Sequence, residues 1–567
     1  MHKLIKYGIE GVEATAVGIN KAADAAKGTL GPKGCNATYL GIGKRVVSTK
    51  DGASILNELD SFADPYENLG LMLVRQVTKQ TVDTAGDGTT TATVLFQHMV
   101  NLGLGYLRAI ASESMQNGTK KDLAAGVRHG VDRAVEFFRK ESHPLHSADD
   151  KLELSKIREV ASISVNDGDM GKLIADLMYN IGSSGVVAVE DSRTFETTTE
   201  QMEGMKFDQG FKSSLFVTNR SKQICELENA HVLVYNKKLD SHQHMIMMRD
   251  LFENIVQADP LLIIAEDISD TVMLFLEANS LRKSIKVCAV KAPGFGDTRT
   301  DLLEDIATFV GAKCLPGNEP NSDKIERHHL GNAKKIIVTD KSTTIISGNA
   351  NAQELADRCE MIRNKIEHET SEYSKKKLEE RLAKLVGKAG VIRVGGKTET
   401  DQKELKDRID DAVQAVRAAI SGGILPGGGT MHIRASEMLR KLASDFQRKG
   451  SHSTSFIWGI EVVAEALMSP LRNMLINAGL SSKAPIIIAE VSKKSEDHKN
   501  FGFNVASGEY VQDMVKEGII DPTECAVSAA QNAGYQAARF LEMSCVIVDK
   551  PADTSSKGGD SMMDMPY

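Results

Sequence analysis

Residues Ala85–Thr93 read AGDGTTTAT, and the reading of this stretch decides what the rest of the chain must build. It lies between two apolar stripes at helical spacing, Leu69, Leu73 and Val77 before it and Leu95, Met99 and Leu102 after it. Gly86 and Gly88 permit a tight turn, and Thr89, Thr90 and Thr91 open the following helix. A helix start offers backbone N–H groups that have no carbonyl partner, and three hydroxyls beside them make a phosphate cradle. Asp87 is then placed to hold Mg2+, which takes one or two carboxylates together with phosphate oxygens. A capped helical hairpin is the plainer reading, since Asp and Thr are good caps. Three threonines behind GDG exceed what a cap needs.

Two further Gly-rich turns flank helices. TLGPKG (Thr29–Gly34) follows a helix whose Ala16, Ile19, Ala23 and Ala26 share a face, and alone it reads as a Gly/Pro stop. GILPGGGT (Gly423–Thr430) follows a helix whose apolar stripe is Ile409, Val413, Val416 and Ile420. Asp411 sits roughly 200° round from that stripe. It is either a solvated acid or a carboxylate that polarises a water beside a γ-phosphate. No GxxxxGK[ST] occurs, and Gly294–Arg299 lacks the third glycine of GxGxxG, which excludes the P-loop and leaves no dinucleotide fingerprint.

Between about 185 and 350 the texture changes to short β-rich runs, among them GVVAVED, LLIIAE, KKIIVTD and TTIISG. Asp270–Arg282 lies between two such runs as a helix. Helix returns at Met361–Lys384, with Leu378, Leu382 and Leu385 on one face, and again at Ile409–Ile420. The order predicts a mainly helical domain assembled from both termini, with an α/β domain inserted in the middle. The tail from Pro551, rich in Ser, Gly, Asp and Met, reads as disordered.

At 567 residues the chain is long enough for three or four domains. A net charge of −8 argues against nucleic acid as the main partner, because phosphate binding there needs a basic face. The seven cysteines never occur as CxxC, which fits a reducing compartment better than a disulfide or zinc framework. No apolar run approaches the roughly 20 residues of a membrane helix, and the N-terminal segment has no targeting character. The expectation is a cytoplasmic protein with no membrane partner. His242, His244 and the adjacent His328 and His329 have no matched Cys or acidic pair at ligand spacing and read as surface residues.

Taken in order, TLGPKG, KDG (Lys50–Gly52), AGDGTTTATVL, EGMKFDQG, LLIIAED, VKAPGFGD and GGG closely resemble a group I chaperonin of the GroEL type, over about residues 8 to 550. The resemblance implies a multidomain α+β/α/β fold. It comprises a mainly helical equatorial ATPase domain (1–141 and 422–550), a small α/β intermediate hinge domain (142–202 and 389–421) and an α/β apical polypeptide-binding domain (203–388), with 551–567 as the tail. It implies ATP and Mg2+, with K+ as a further cation. Its partners are non-native polypeptides, other copies in heptameric rings and a co-chaperonin, in the bacterial cytosol, or in the host cytosol for a phage-encoded chain.

The resemblance also assigns residues. Thr29, Leu30, Gly31 and Pro32 contact the nucleotide, while Lys50 and Asp51 lie by the γ-phosphate. Asp87 binds Mg2+, and Gly88, Thr89, Thr90 and Thr91 wrap the phosphates. Asp411 promotes attack by water, and Gly428 is the GGG contact. Asn504, Val505 and Ala506 match the adenine pocket, Asp521 the acidic group on the nucleoside, and Ile163 and Ser164 complete the site. Phe211, Leu215, Phe216, Met248, Leu251 and Met273 fall where the family lines its apolar groove, although each methionine reads equally well as core.

The sequence departs from the pattern in places. Lys212, Glu277 and Ala278 replace apolar groove residues, and Gln209 stands where Arg is usual, which removes its ion pair with Glu399. The acidic partner expected for Arg408 is shifted in register, within Asn166–Asp169. These changes keep a second reading open, that of a nucleotide-responsive holdase or assembly scaffold for a narrow client set without encapsulation.

Overall fold

The structure is a computed structural model that describes residues 3–40, 46–111, 118–145, 152–182, 186–192, 194–219, 223–257, 259–282, 285–316, 325–369 and 371–550. The Ser/Gly/Met tail expected to be disordered lies outside the described residues. The chain divides into two compact units, one formed by residues 1–176 with 396–567 and the other by 177–395.

The first unit begins with β1 (Lys3–Tyr7), α1 (Gly8–Lys27), the hairpin strands β2 (Ala37–Leu40) and β3 (Val46–Thr49), and α2 (Gly52–Glu58). Helices α3 (Pro65–Ala85), α4 (Thr89–Ala111), α5 (Lys120–Lys140) and α6 (Leu154–Val165) follow, and α7 (Gly168–Ile181) leads on along the chain. Asp64 caps α3 by accepting from Tyr66 N at 2.7 Å, Pro65 opens that helix, and Gly86 closes it in the left-handed region.

The second unit holds β4 (Val186–Asp191), β5 (Thr198–Phe207), β6 (Cys225–Leu239), α8 (His242–Asp250), β7 (Leu261–Ile268), α9 (Asp270–Leu281) and β8 (Val287–Lys291). It continues through α10 (Gly296–Val310), β9 (Gly331–Val338), β10 (Thr343–Gly348), α11 (Ala352–His368), α12 (Glu372–Leu385) and β11 (Lys388–Val394). Its strands make one mixed sheet in the order β4-β11-β5-β10-β9-β6-β7-β8, in which β6, β7 and β8 run parallel. The first five residues of β7 are all buried, as a strand paired on both sides and covered on both faces requires.

The expected single helix over Met361–Lys384 is instead two helices. Ser371 accepts from Ser374 N at 3.4 Å and starts a new helix there, so the break comes from an N-cap inside a run of good helix formers. Among α10, α11 and α12 sits a buried charge network. Asp305 (2% exposed) accepts from Arg358 Nε at 2.7 Å and also pairs with Arg381 (6% exposed), which reaches Asp301 as well.

The chain re-enters the first unit at α13 (Glu399–Gly422), followed by β12 (Ile424–Pro426), α14 (Thr430–Lys449), α15 (Thr454–Ala466), α16 (Ser469–Asn477) and α17 (Ala484–Lys494). It ends with β13 (Gly502–Asn504), β14 (Glu509–Val511), β15 (Ile520–Pro522), α18 (Thr523–Leu541) and β16 (Cys545–Asp549). Helix α4 is the centre of this bundle: Leu95, Phe96, Met99 and Val100 are fully buried against α1, α3, α15 and α18. Strand β16 returns to pair antiparallel with β1, from Lys3 with Asp549 to Tyr7 with Cys545.

Candidate functional site

Every residue that the sequence assigns to the nucleotide site lines one cavity of the first unit, with a volume of about 590 Å³. Its walls come from both ends of the chain. The turn after α1 contributes Thr29–Pro32, held by Asn477 on α16, whose Nδ2 donates to the carbonyls of Lys27 at 3.0 Å and Leu30 at 2.9 Å. The turn between α3 and α4 contributes Asp87 and Gly88, and the first turn of α4 contributes Thr89, Thr90 and Thr91. Ile163 and Ser164 come from the end of α6, Asp411 from α13, and Asp521 from β15.

Two glycines show why this turn cannot be built from other residues. Gly86 has φ +74°, and a Cβ there would meet the Gln414 side chain of α13 at 2.3 Å. A Cβ on Gly52 would meet Thr90 Oγ1 at 2.4 Å. The bare backbone lets α13 and α2 close on the α3–α4 turn, which brings Asp411 and Asp51 to the same cavity as Asp87.

The carboxylates have different duties. Asp51 caps α2, accepting from Ala53 N at 3.0 Å and Ser54 N at 2.8 Å. Asp87 accepts from Gly88 N at 2.5 Å and from Ser164 Oγ at 3.3 Å. Burial pushes the Asp87 carboxyl up from the usual carboxylate range, and the charge of Asp51 adds to this. Asp411 is pushed up strongly, by burial first and then by Asp87, Asp51, Asp410 and Asp407. Asp521 is pushed up to about 6 by burial and the charge of Asp87. The Asp411 side chain faces the cavity, while Ile409, Val413, Val416 and Ile420 lie in the core.

Six carboxylates (Asp51, Asp87, Glu404, Asp407, Asp411 and Asp521) and two cationic side chains (Lys50 and Arg408) line the cavity. A wall of that balance repels a bare polyphosphate, whereas a cation–phosphate complex satisfies both partners. Among the described residues no three His, Cys, Asp or Glu side chains converge to hold a metal ion by themselves. The Asp87 carboxylate would suit a cation completed by ligand oxygens and water, as Mg2+ is.

At the other end of the cavity, Asn504, Val505 and Ala506 form the β13–β14 hairpin turn. The Asn504 carboxamide oxygen accepts from Ala506 N at 2.9 Å, so that side chain shapes the turn, and Val505 packs into a core with Phe501 and Phe503. Gly428 adopts φ +62° just before α14. The sequence reading missed other wall residues, including Thr49, Glu404, Asp407, His432, Pro470, Met474 and Ile519. His432 on α14 is buried against Phe138, and neither ring nitrogen has a hydrogen-bond partner. Burial pushes it down to about 4. A polar residue inside an apolar helical stripe was the only available signal for it.

The groove residues fare differently. Phe216, Met248, Leu251 and Met273 are buried in the core of the second unit, so as a set they present no surface to a client in this conformation. Phe211 is half-buried and bridges to Val290 at the edge of β8, and only Leu215 is well exposed. The exposed apolar residues nearby are Ile246 on α8 and Leu274 (66% exposed) and Leu281 (62% exposed) on α9. Helix α9 packs against α8 and the Ser214–Phe216 turn, and Ser280 Oγ donates to the Leu215 carbonyl at 3.3 Å. Seven residues apart, Leu274 and Leu281 lie on one helix face. Lys212 pairs with Asp267 at the end of β7.

Among the described residues no helix is long and apolar enough to cross a membrane. A family model, that of the TCP-1/cpn60 chaperonin family, matches residues 22–551, which covers most of the first unit, all of the second and every residue of the cavity wall. The chain belongs to the TCP-1/cpn60 chaperonin family and is a chaperone.

Proposed function

We propose that the protein is an ATP-driven chaperonin of the group I type, which binds non-native polypeptides and assists their folding inside a ring of identical subunits. The observation that carries this reading is the convergence of Asp87, Asp411 and Asp521 with the α4 N-terminus on one cavity. Thr89, Thr90 and Thr91 present hydroxyls and first-turn N–H groups to the phosphates. Asp87, oriented by Ser164, holds Mg2+, which when bound offsets the negative charge of the phosphate oxygens. Asp411 accepts the proton of the attacking water and orients it toward the γ-phosphate. Lys50 lies by that phosphate, and K+ serves as a further cation. Val505 and Ala506 face the adenine base, and Asp521 the nucleoside.

Client contact is assigned to Leu215, Ile246, Leu274 and Leu281, the exposed apolar positions around α8 and α9. Weak contacts of this kind become useful when a ring presents many copies, because linked sites add about 10²–10⁴-fold in avidity. Assembly is supported by two isolated two-stranded sheets, β1–β16 and β2–β3, with exposed Tyr7, Ile547, Leu40 and Val46. Such pairs are marginal alone, and their open edges are ready to pair with another copy. We assign a heptameric ring, three domains per subunit and a co-chaperonin partner on the sequence motifs.

The test is phosphate release from Mg-ATP together with refolding of a denatured protein. Turnover that disappears in Asp411→Asn while nucleotide still binds is the expected result. Aggregation suppression that ignores ATP sinks the folding-machine reading in favour of a holdase.

A further inference from the structure

Helix α6 roofs the cavity with Ile163 and Ser164 in its last turn, and it is held at both ends. At the C-terminal end Arg408 Nη1 donates to the Val165 carbonyl at 3.0 Å. At the first turn Lys156 Nζ donates to the Val515 carbonyl at 2.8 Å and to Glu159 Oε2 at 2.7 Å. Lys156 lies outside the cavity lining and touches it only through what it connects.

Val515 belongs to a turn built around Asp513, whose Oδ1 accepts from Val515 N at 3.1 Å, Lys516 N at 3.2 Å and Asn500 Nδ2 at 3.0 Å. This turn sets Met514 against Gly428, where a Cβ would meet Met514 Cε at 2.8 Å, and runs on to Ile519 and Asp521. Those two residues are cavity wall. Glu159 also lies against the turn, its Cγ 3.0 Å from where a Cβ on Gly518 would sit. The ammonium thus joins the roof helix to the segment that forms the floor, and its charge is matched locally by Glu159.

We propose that Lys156 is a positioning residue for the nucleotide: by bridging α6 to the Asp513–Gly518 turn it keeps roof and floor together, holds Ser164 within reach of Asp87 and slows nucleotide release. The proposal rests on the cavity being a nucleotide site. A charge-assisted bond between two elements acts mainly on dissociation, since it must break before the roof can lift.

The experiment compares the full-length protein with Lys156→Met, which keeps length but donates nothing, and Lys156→Arg, which restores a cationic donor. Dissociation of a fluorescent Mg-ADP analogue and the kcat and KM for ATP are measured. Lys156→Met is expected to release nucleotide about fivefold to tenfold faster and to raise KM by a similar factor, with kcat changed less than about twofold. Lys156→Arg is expected to return both to within about twofold of the parent. A merely structural lysine lowers thermal stability but leaves release and KM alone, and that result overturns the proposal. A parent protein that binds no nucleotide overturns the site reading and the positioning role together. A parent that binds while Lys156→Met releases no faster overturns the positioning role only.

Discussion

Ser164, in the last turn of α6, donates from Oγ to the Asp87 carboxylate at 3.3 Å, across 77 positions of sequence. The bond fixes one oxygen of a buried carboxyl that burial otherwise drives toward the neutral form. It leaves the other oxygen, which accepts only from Gly88 N, for an incoming cation. Asp87→Asn is therefore expected to remove the Mg2+ dependence of nucleotide binding. Calorimetric titration of ADP with and without Mg2+ checks this, and an unchanged Mg2+ effect refutes the assignment.

In the proposed mechanism Asp411 acts as a carboxylate, and burial with the neighbouring acids holds it toward the neutral form. Asp411→Asn keeps the volume and cannot ionise into a crowded acidic wall. ATP turnover is expected to fall by about 10²–10⁴-fold, the usual contribution of a general base, while nucleotide affinity holds or improves. Single-turnover hydrolysis alongside equilibrium binding separates the two effects.

His432 supplies a pH prediction with a definite sign. Its folded value is about 4 against 6.5 for a free imidazole, so below 6.5 the unfolded chain takes a proton that the folded protein refuses. The stability it allows is fully present above pH 6.5 and is lost as the pH falls toward 4, about 3 kcal/mol in all. His432→Leu is expected to flatten urea-melt stability across that window. It is also expected to gain about 1–2 kcal/mol at pH 7, because two unpartnered buried nitrogens disappear. Equal pH slopes in parent and variant would show that the imidazole is not sealed from water.

Arg381 tests the ionic core of the second unit. Removing it leaves Asp305 with one fewer partner at 2% exposure, and Arg381→Ala is expected to destabilise that unit by about 3–5 kcal/mol. Asp357→Ala, at an exposed position of α11, should stay within about 0.5 kcal/mol. Calorimetric melting of the two variants gives the comparison.

Leu274→Glu and Leu281→Glu are expected to weaken capture of a denatured client without changing ATP turnover, since both side chains stand in solvent on α9. Met248→Glu, by contrast, should unfold the second unit, because that side chain is fully buried. Light scattering of an aggregating client together with phosphate release reads both.

The cavity proposed to bind nucleotide was legible because its parts are backbone turns, and a turn that requires glycine leaves a mark in the letters. AGDGTTTAT, TLGPKG and GGG each name a local geometry, and the family resemblance supplied their meeting point. The proposed client surface was not legible for the opposite reason. Met247, Met248, Ile246 and Leu274 are chemically alike, and which of them faces solvent depends on how α8 and α9 rotate onto the sheet, a tertiary fact. The break between α11 and α12 was hidden by residues that favour helix on both sides of Ser371. Lys156 was invisible because its partner is a main-chain carbonyl, which any residue could have supplied.

The pairing of β1 with β16 has a consequence for biosynthesis. The sheet unit is one continuous segment and can fold as soon as residue 395 has cleared the ribosome. The first unit must wait for Asp521, α18 and the closing strand, which at ~5–20 residues per second arrive about 6–30 s later. During that interval Asp87 has neither Asp411 nor Asp521 opposite it in a finished cavity, so the nascent chain is expected to hold no nucleotide. Ribosome-stalled chains ending before Cys545 should resist protease across the inserted unit and be cut freely in α1–α5, whereas early protection of those helices would mean that the N-terminal half folds without its closing strand.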